Sequence, residues 1–108
     1  MTSTFHIQFS KHALTERADR IAFIATTVGF GNVIKRRMVT DERGTAMRLL
    51  TDTGVIIVTN PEETMVLTMW IAGPAQVKEF YLGEVRNQAI LRLVKKYKEK
   101  GYQTKQNQ

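Results

Sequence analysis

The amino-acid sequence predicts an α+β fold: an N-terminal strand and helix, a four-stranded antiparallel meander, and a long C-terminal amphipathic helix. Two stretches near the ends repeat apolar residues at helical spacing. Between them lie short β-branched segments, closely spaced and separated by turn signals. No repeat, linker or change of composition divides the chain, and 108 residues fit one domain. Residues 1–101 form that domain in this reading, and 102–108 a polar, frayed tail.

Each element has a local reason. Phe5, Ile7 and Phe9 alternate with polar residues, the period of a strand. Ser10 is a good N-cap for a helix from Lys11 to about Val28, whose apolar positions read as Leu14, Ala18, Ile21, Ala22, Ala25 and Val28. The β-branched run before Val28 weakens its last turns, and Gly29-Phe30-Gly31-Asn32 ends it. Val33 to Thr40 is the next strand, closed by the turn Asp41-Glu42-Arg43-Gly44. In Thr45 to Thr51, Ala46, Arg48 and Leu50 share one face, Met47 and Leu49 the other. Val55 to Thr59 is strongly β-branched and reads as a central strand. After the turn Asn60-Pro61-Glu62-Glu63 comes the last strand, Met65 to Ala72. Pro74 suits the first turn of the final helix, which runs from about Ala75 to Lys100 with a kink near Gly83. Its apolar stripe reads Leu82, Val85, Ala89, Ile90, Leu93, Val94 and Tyr97, and Gly101 stops it. Whether the first strand joins the meander in one sheet is open at this level.

Charge is distributed unevenly. The net charge is +6. From Arg86 onward seven basic residues stand against one acidic residue, Glu99, and the rest of the chain sums to zero. A localised basic helix is a footprint for polyanions, here Arg92, Lys95 and Lys96 with their neighbours, although Lys also complements a helix C-terminus. A second cluster, Lys35-Arg36-Arg37, falls on a strand. Lys35 and Arg37 then share a face that could meet phosphates, or the charges protect an edge strand, which is the favoured reading. Arg48, among apolar neighbours, needs solvent or a partner. Trp70 reads as core.

The absences narrow the chemistry. With no cysteine there is no disulfide, thiolate metal site or thiol nucleophile. His6 and His12 with scattered carboxylates lack metal-ligand spacing, and Gly29-Phe30-Gly31 follows a helix rather than a strand, so neither a metal nor a cofactor is expected. No leader is expected at the N-terminus, and no apolar run approaches the ~20 residues of a membrane span. The expectation is a cytoplasmic protein without membrane contact. On the first helix, His12, Glu16 and Arg20 share a face at i, i+4 and i+8, with Arg17 beside them. His can move a proton near neutral pH and Arg can hold a phosphate. The same spacing also describes an ordinary surface pair.

Ser10-Lys11-His12-Ala13-Leu14 with Arg17, Arg20 and Ile21, and the strand Val66-Leu67-Thr68-Met69-Trp70, resemble a branch of the barnase, EndoU, colicin and RelE-like RNase superfamily of small bacterial and phage proteins. Arg17 stands one residue beyond the branch's usual spacing from the histidine, and Ile21 replaces its glycine. The resemblance covers residues 5–72. It implies metal-independent attack of a ribose 2′-oxygen on the adjacent phosphate. His12 would be the acid/base group, Arg20 and Arg48 phosphate ligands, and Thr68 an orienting hydroxyl. By their charge rather than by the resemblance, Arg17, Lys35, Arg37, Arg92, Lys95 and Lys96 would bind RNA. The alternative is a non-enzymatic accessory or inhibitor protein of a phage or mobile element, acting through a protein partner. A homodimer is compatible with both.

Overall fold

The structure is a computed structural model that describes residues 8–16, 18–81 and 88–102; for Gln8, His12 and Glu16 only the backbone is described. The order is β1 (Gln8–Phe9), α1 (Lys11–Glu16), α2 (Ala18–Thr27), β2 (Val33–Asp41), β3 (Gly44–Thr51), β4 (Val55–Thr59), β5 (Met65–Ile71), α3 (Pro74–Phe80) and α4 (Gln88–Glu99). This is the α+β class that the patterning predicts. Strands β2 to β5 form the antiparallel meander. The first strand joins the same sheet, parallel to β5, in the order β1-β5-β4-β3-β2. Phe5 and Ile7, read as part of that strand, lie outside the described residues.

Ser10 makes the transition out of β1. Its N–H donates to the Val66 carbonyl at 2.8 Å, and its Oγ accepts from the Ala13 N–H at 3.0 Å, capping α1. The first helical stripe differs from the expected one. Ala13, Ile21 and Ile24 are buried, whereas Leu14 is 55% exposed and Ala18, Ala22 and Ala25 face outward. Ile21 and Ile24, spaced i and i+3, are the two large apolar groups that one face can bury together.

Register fixes the two faces of the sheet. Arg37, Arg48, Val58 and Thr68 form one cross-strand row; Lys35, Leu50, Ile56 and Trp70 form another on the same face. Between them, on the opposite face, run Arg36, Leu49, Ile57 and Met69. Near Trp70 the sheet is dry on both sides: Leu50, Ile56 and Trp70 on one face and Leu49, Ile57 and Met69 on the other are all buried. That is why β4 reads as continuously apolar. Helix α3 covers the Trp70 face. Gln76 Oε1 accepts from the indole N–H at 3.3 Å and from the Gly73 N–H at 3.0 Å, and Val77 and Phe80 are buried in the core. Pro74 sits at the start of α3, where its missing N–H costs nothing. Helices α1 and α2 pack along β5.

The single long C-terminal helix is replaced by two shorter ones. Residues eight apart in one helix are separated by about 12 Å along its axis, yet α3 and α4 pack against each other. Gly83, the expected site of a kink, lies outside the described residues, as do Leu82 and Val85. The apolar stripe of α4 is Ile90, Leu91, Val94 and Tyr97, with Leu93 half-buried; Leu91 replaces the expected Ala89, which is exposed. The larger side chain gains more by leaving water, and that sets the rotation of the helix.

Two glycines make close approaches that no side chain could share. At Gly31, φ is +76° and a Cβ would meet Asp52 Oδ1 at 2.5 Å, an oxygen that accepts from the Asn32 N–H. At Gly54, φ is +82° and a Cβ would meet Val94 at 2.8 Å, so α4 docks directly on the β3–β4 turn. Tyr97 completes that docking by donating its hydroxyl to the Thr53 carbonyl at 2.9 Å. Tyr102, assigned to the tail by sequence, is half-buried and packs edge-on against Phe23 with ring centroids 5.3 Å apart. The rest of that tail, 103–108, lies outside the described residues.

Candidate nucleic-acid interface

The sequence singles out cations on three elements, and the structure places each set in different surroundings. Strand β2 is at the edge of the sheet, as its charge suggests. Its three cations are all engaged within the chain. Arg36 Nε donates to both carboxylate oxygens of Glu63 at 3.0 Å. Arg37 pairs with Glu79 of α3 at 3.6 Å. Lys35 Nζ lies 5.0 Å from the centre of the Tyr81 ring. Glu63 holds a left-handed backbone at φ 58° within the β4–β5 turn, where its N–H donates to the Asn60 carbonyl at 2.9 Å.

Arg48 is half-buried on the open part of the Trp70 face. Its guanidinium lies 5.7 Å from the centre of the Trp70 ring, two strands away, so it reaches across β4 towards β5. Among the described residues it has no carboxylate within ion-pair distance. Thr68 precedes Trp70 by two positions and points to the same face. Its hydroxyl is buried and has no hydrogen-bond partner among the described residues. A buried hydroxyl without a partner costs about 1–3 kcal/mol. Nothing in the linear pattern signals the proximity of Arg48 to Trp70, because it depends on strand register.

Of the four residues assigned to catalysis by resemblance, Arg48 and Thr68 are brought together on one face. Arg20 is exposed on α2, where Nη1 donates to the main-chain oxygen of Met69, the residue after Thr68, at 3.5 Å. It thus borders the same strand through the backbone. The side chain of His12 and all of Arg17 lie outside the described residues. His12 itself is on α1, which packs along β5.

Helix α4 presents a different picture. Its buried stripe leaves Arg92, Lys95, Lys96 and Lys98 exposed, followed by Lys100. Arg92, Lys95 and Lys96 recur at i, i+3 and i+4 and share the outward face with Glu99. None of these three has an ion pair or side-chain hydrogen bond among the described residues. Lys100 lies over the Tyr102 ring at 5.8 Å. On the docked side, burial raises the Tyr97 phenol above its ordinary pKa, and neighbouring Tyr102 adds to the shift.

Among the described residues no cluster of three His, Asp or Glu side chains could hold a metal ion, and no helix is long and apolar enough to cross a membrane. No protein-family description, curated protein or solved structure is matched by this chain.

Proposed function

We propose that this protein is a small RNA-binding domain of RNase-like architecture. The observation that carries the reading is the exposed face of α4, where Arg92, Lys95 and Lys96 stand without partners among the described residues, although carboxylates elsewhere in the chain are paired with β2. Unpaired surface cations gain most from phosphate contact, because binding releases condensed counterions and breaks no ion pair. The β-sheet supplies a second contact. Arg48, held against Trp70 on the same face as the Thr68 hydroxyl, which has no hydrogen-bond partner among the described residues, is a cation positioned by packing, and a phosphate is the group it would pair with.

The chemistry that accompanies this reading is metal-independent attack of a ribose 2′-oxygen on the adjacent phosphate. The 2′-oxygen bonds to phosphorus as the phosphorus–5′-oxygen bond breaks, leaving a 2′,3′-cyclic phosphate. His12 takes the 2′-hydroxyl proton and returns it to the departing 5′-oxygen, Arg48 and Arg20 face the charge that develops on the phosphorane, and Thr68 donates a hydrogen bond. A labelled single-stranded RNA, titrated by fluorescence anisotropy at several salt concentrations and then resolved on a gel, tests both parts. Binding should weaken steeply with salt, and cleavage should be indifferent to chelator and abolished in His12→Ala. RNA binding without cleavage removes the catalytic part alone. Binding that is absent at low salt sinks the whole reading.

A further inference from the structure

The outer edge of β2 carries an inference that does not depend on RNA. No strand pairs with that edge among the described residues, and β2 is exposed along most of its length. Natural edge strands are commonly guarded by charge. Here the guard is largely cancelled. Arg36 and Arg37 are paired with Glu63 and Glu79, and Asp41 and Glu42 close the strand. Around the edge, Lys35, Arg36, Arg37 and Arg43 stand against Asp41, Glu42, Glu63 and Glu79, four of each sign. The most exposed large apolar side chain of the described residues, Met38 at 63%, lies in the middle of the same strand.

Strand β2 has one irregularity, between Val33 and Lys35. Its regular part is therefore Lys35 to Asp41, seven residues with Met38 at the centre. We propose that a second copy of this chain pairs antiparallel with that segment about a two-fold axis through Met38. Directly opposite residues in such a pairing lie on the same face. Met38 then meets Met38 of the other copy. Arg36 meets Thr40, Arg37 meets Val39, and Lys35 meets Asp41, the last three each occurring twice by symmetry. Opposite charges face each other at both ends and Met38 faces itself at the centre, while Arg36 and Arg37, already paired with Glu63 and Glu79, bring no uncompensated charge opposite Thr40 and Val39, so the segment is self-complementary. The pairing turns two five-stranded sheets into one continuous sheet and removes both β2 edges from solvent.

Sedimentation equilibrium and disulfide trapping test this directly. The native chain has no cysteine, so Met38→Cys introduces a single thiol at the axis. Under mild oxidation it should form a disulfide-linked dimer far faster than Lys98→Cys on α4. Lys35→Asp and Asp41→Lys each place like charges opposite one another twice, and each should weaken the dimer about tenfold. The double variant Lys35→Asp/Asp41→Lys restores the opposite charges and should recover the native constant. All these positions are exposed, and circular dichroism of each variant confirms that it is folded. A folded native chain that stays monomeric at several hundred micromolar, or one whose Met38→Cys form links no faster than Lys98→Cys, overturns the proposal. So does a dimer that the charge swap fails to restore, because its register or its partner strand is then a different one. RNA binding or its absence affects none of these outcomes.

Discussion

The cluster Lys35-Arg36-Arg37 on β2 and the series from Arg92 to Lys98 on α4 are alike in composition and opposite in circumstance. On β2 every cation of the cluster meets a partner within the chain: a carboxylate from the β4–β5 turn, a carboxylate from α3, or an aromatic ring. On α4 the outward cations stand in solvent, and the helix is held by its other side, through Ile90, Leu91, Val94 and Tyr97. A run of basic residues is therefore not one signal. On a strand that crosses a folded sheet, the sheet's own turns and helices come within reach of the side chains. On a helix docked by one stripe, the opposite face is left to solvent.

The largest effect that separates the two clusters is on RNA. Reversing the charge of Arg92, Lys95 and Lys96 together should weaken RNA binding by roughly 10²-fold at low salt and lower the salt slope by about one unit for each phosphate no longer neutralised. If affinity is unchanged, α4 is not the interface and the contrast with β2 has no functional meaning. Next comes the docking that leaves those cations free. Leu91→Ala removes a buried side chain from the stripe and should cost about 2–4 kcal/mol in denaturant unfolding, while the folded variant keeps its affinity for RNA. A smaller effect is expected on β2. Arg36→Ala breaks a partly exposed ion pair and should cost about 0.5–1 kcal/mol at most, leaving the salt slope of RNA binding as it was. A drop in affinity as large as that from α4 would show that β2 meets RNA despite its internal partners.

The last prediction concerns pH. The folded chain holds the Tyr97 proton more tightly than an unfolded one, whose phenol titrates near 10. The stability from this group is fully present below that pH and is lost as pH rises through the raised folded value. Tyr97→Phe should flatten this alkaline decline in a melting series. It should also remove the hydrogen bond to Thr53, at about 1 kcal/mol near neutral pH. An alkaline decline of the same steepness in Tyr97→Phe would assign it to other groups.

Much of the fold was legible because local rules sufficed. Ser10 was readable as a cap, Gly101 as the residue that follows the last helix, Pro74 as a helix start and Val55 to Thr59 as a central strand, since each rests on backbone geometry or apolar content within a few residues. The rotation of the helices was not. The exposure of Leu14, and the burial of Leu91 rather than Ala89, were decided by how each helix packs on its neighbours. The candidate site was legible only as residue types. Thr68 and Arg48 could be named from the strands, but their common row needed the register of three strands. Arg20 was placed on the helix correctly, and its hydrogen bond to the Met69 carbonyl needed the packing of α2 on β5.

The sequence by itself determined the class of fold, the succession of strands in the meander and the concentration of positive charge near the C-terminus, because those follow from composition and period along the chain. Among the described residues, the tertiary structure decided which charges are paired and which stand without a partner. That choice depends on distances between residues far apart in sequence, such as Arg36 and Glu63 or Arg37 and Glu79, and a linear pattern holds no record of them.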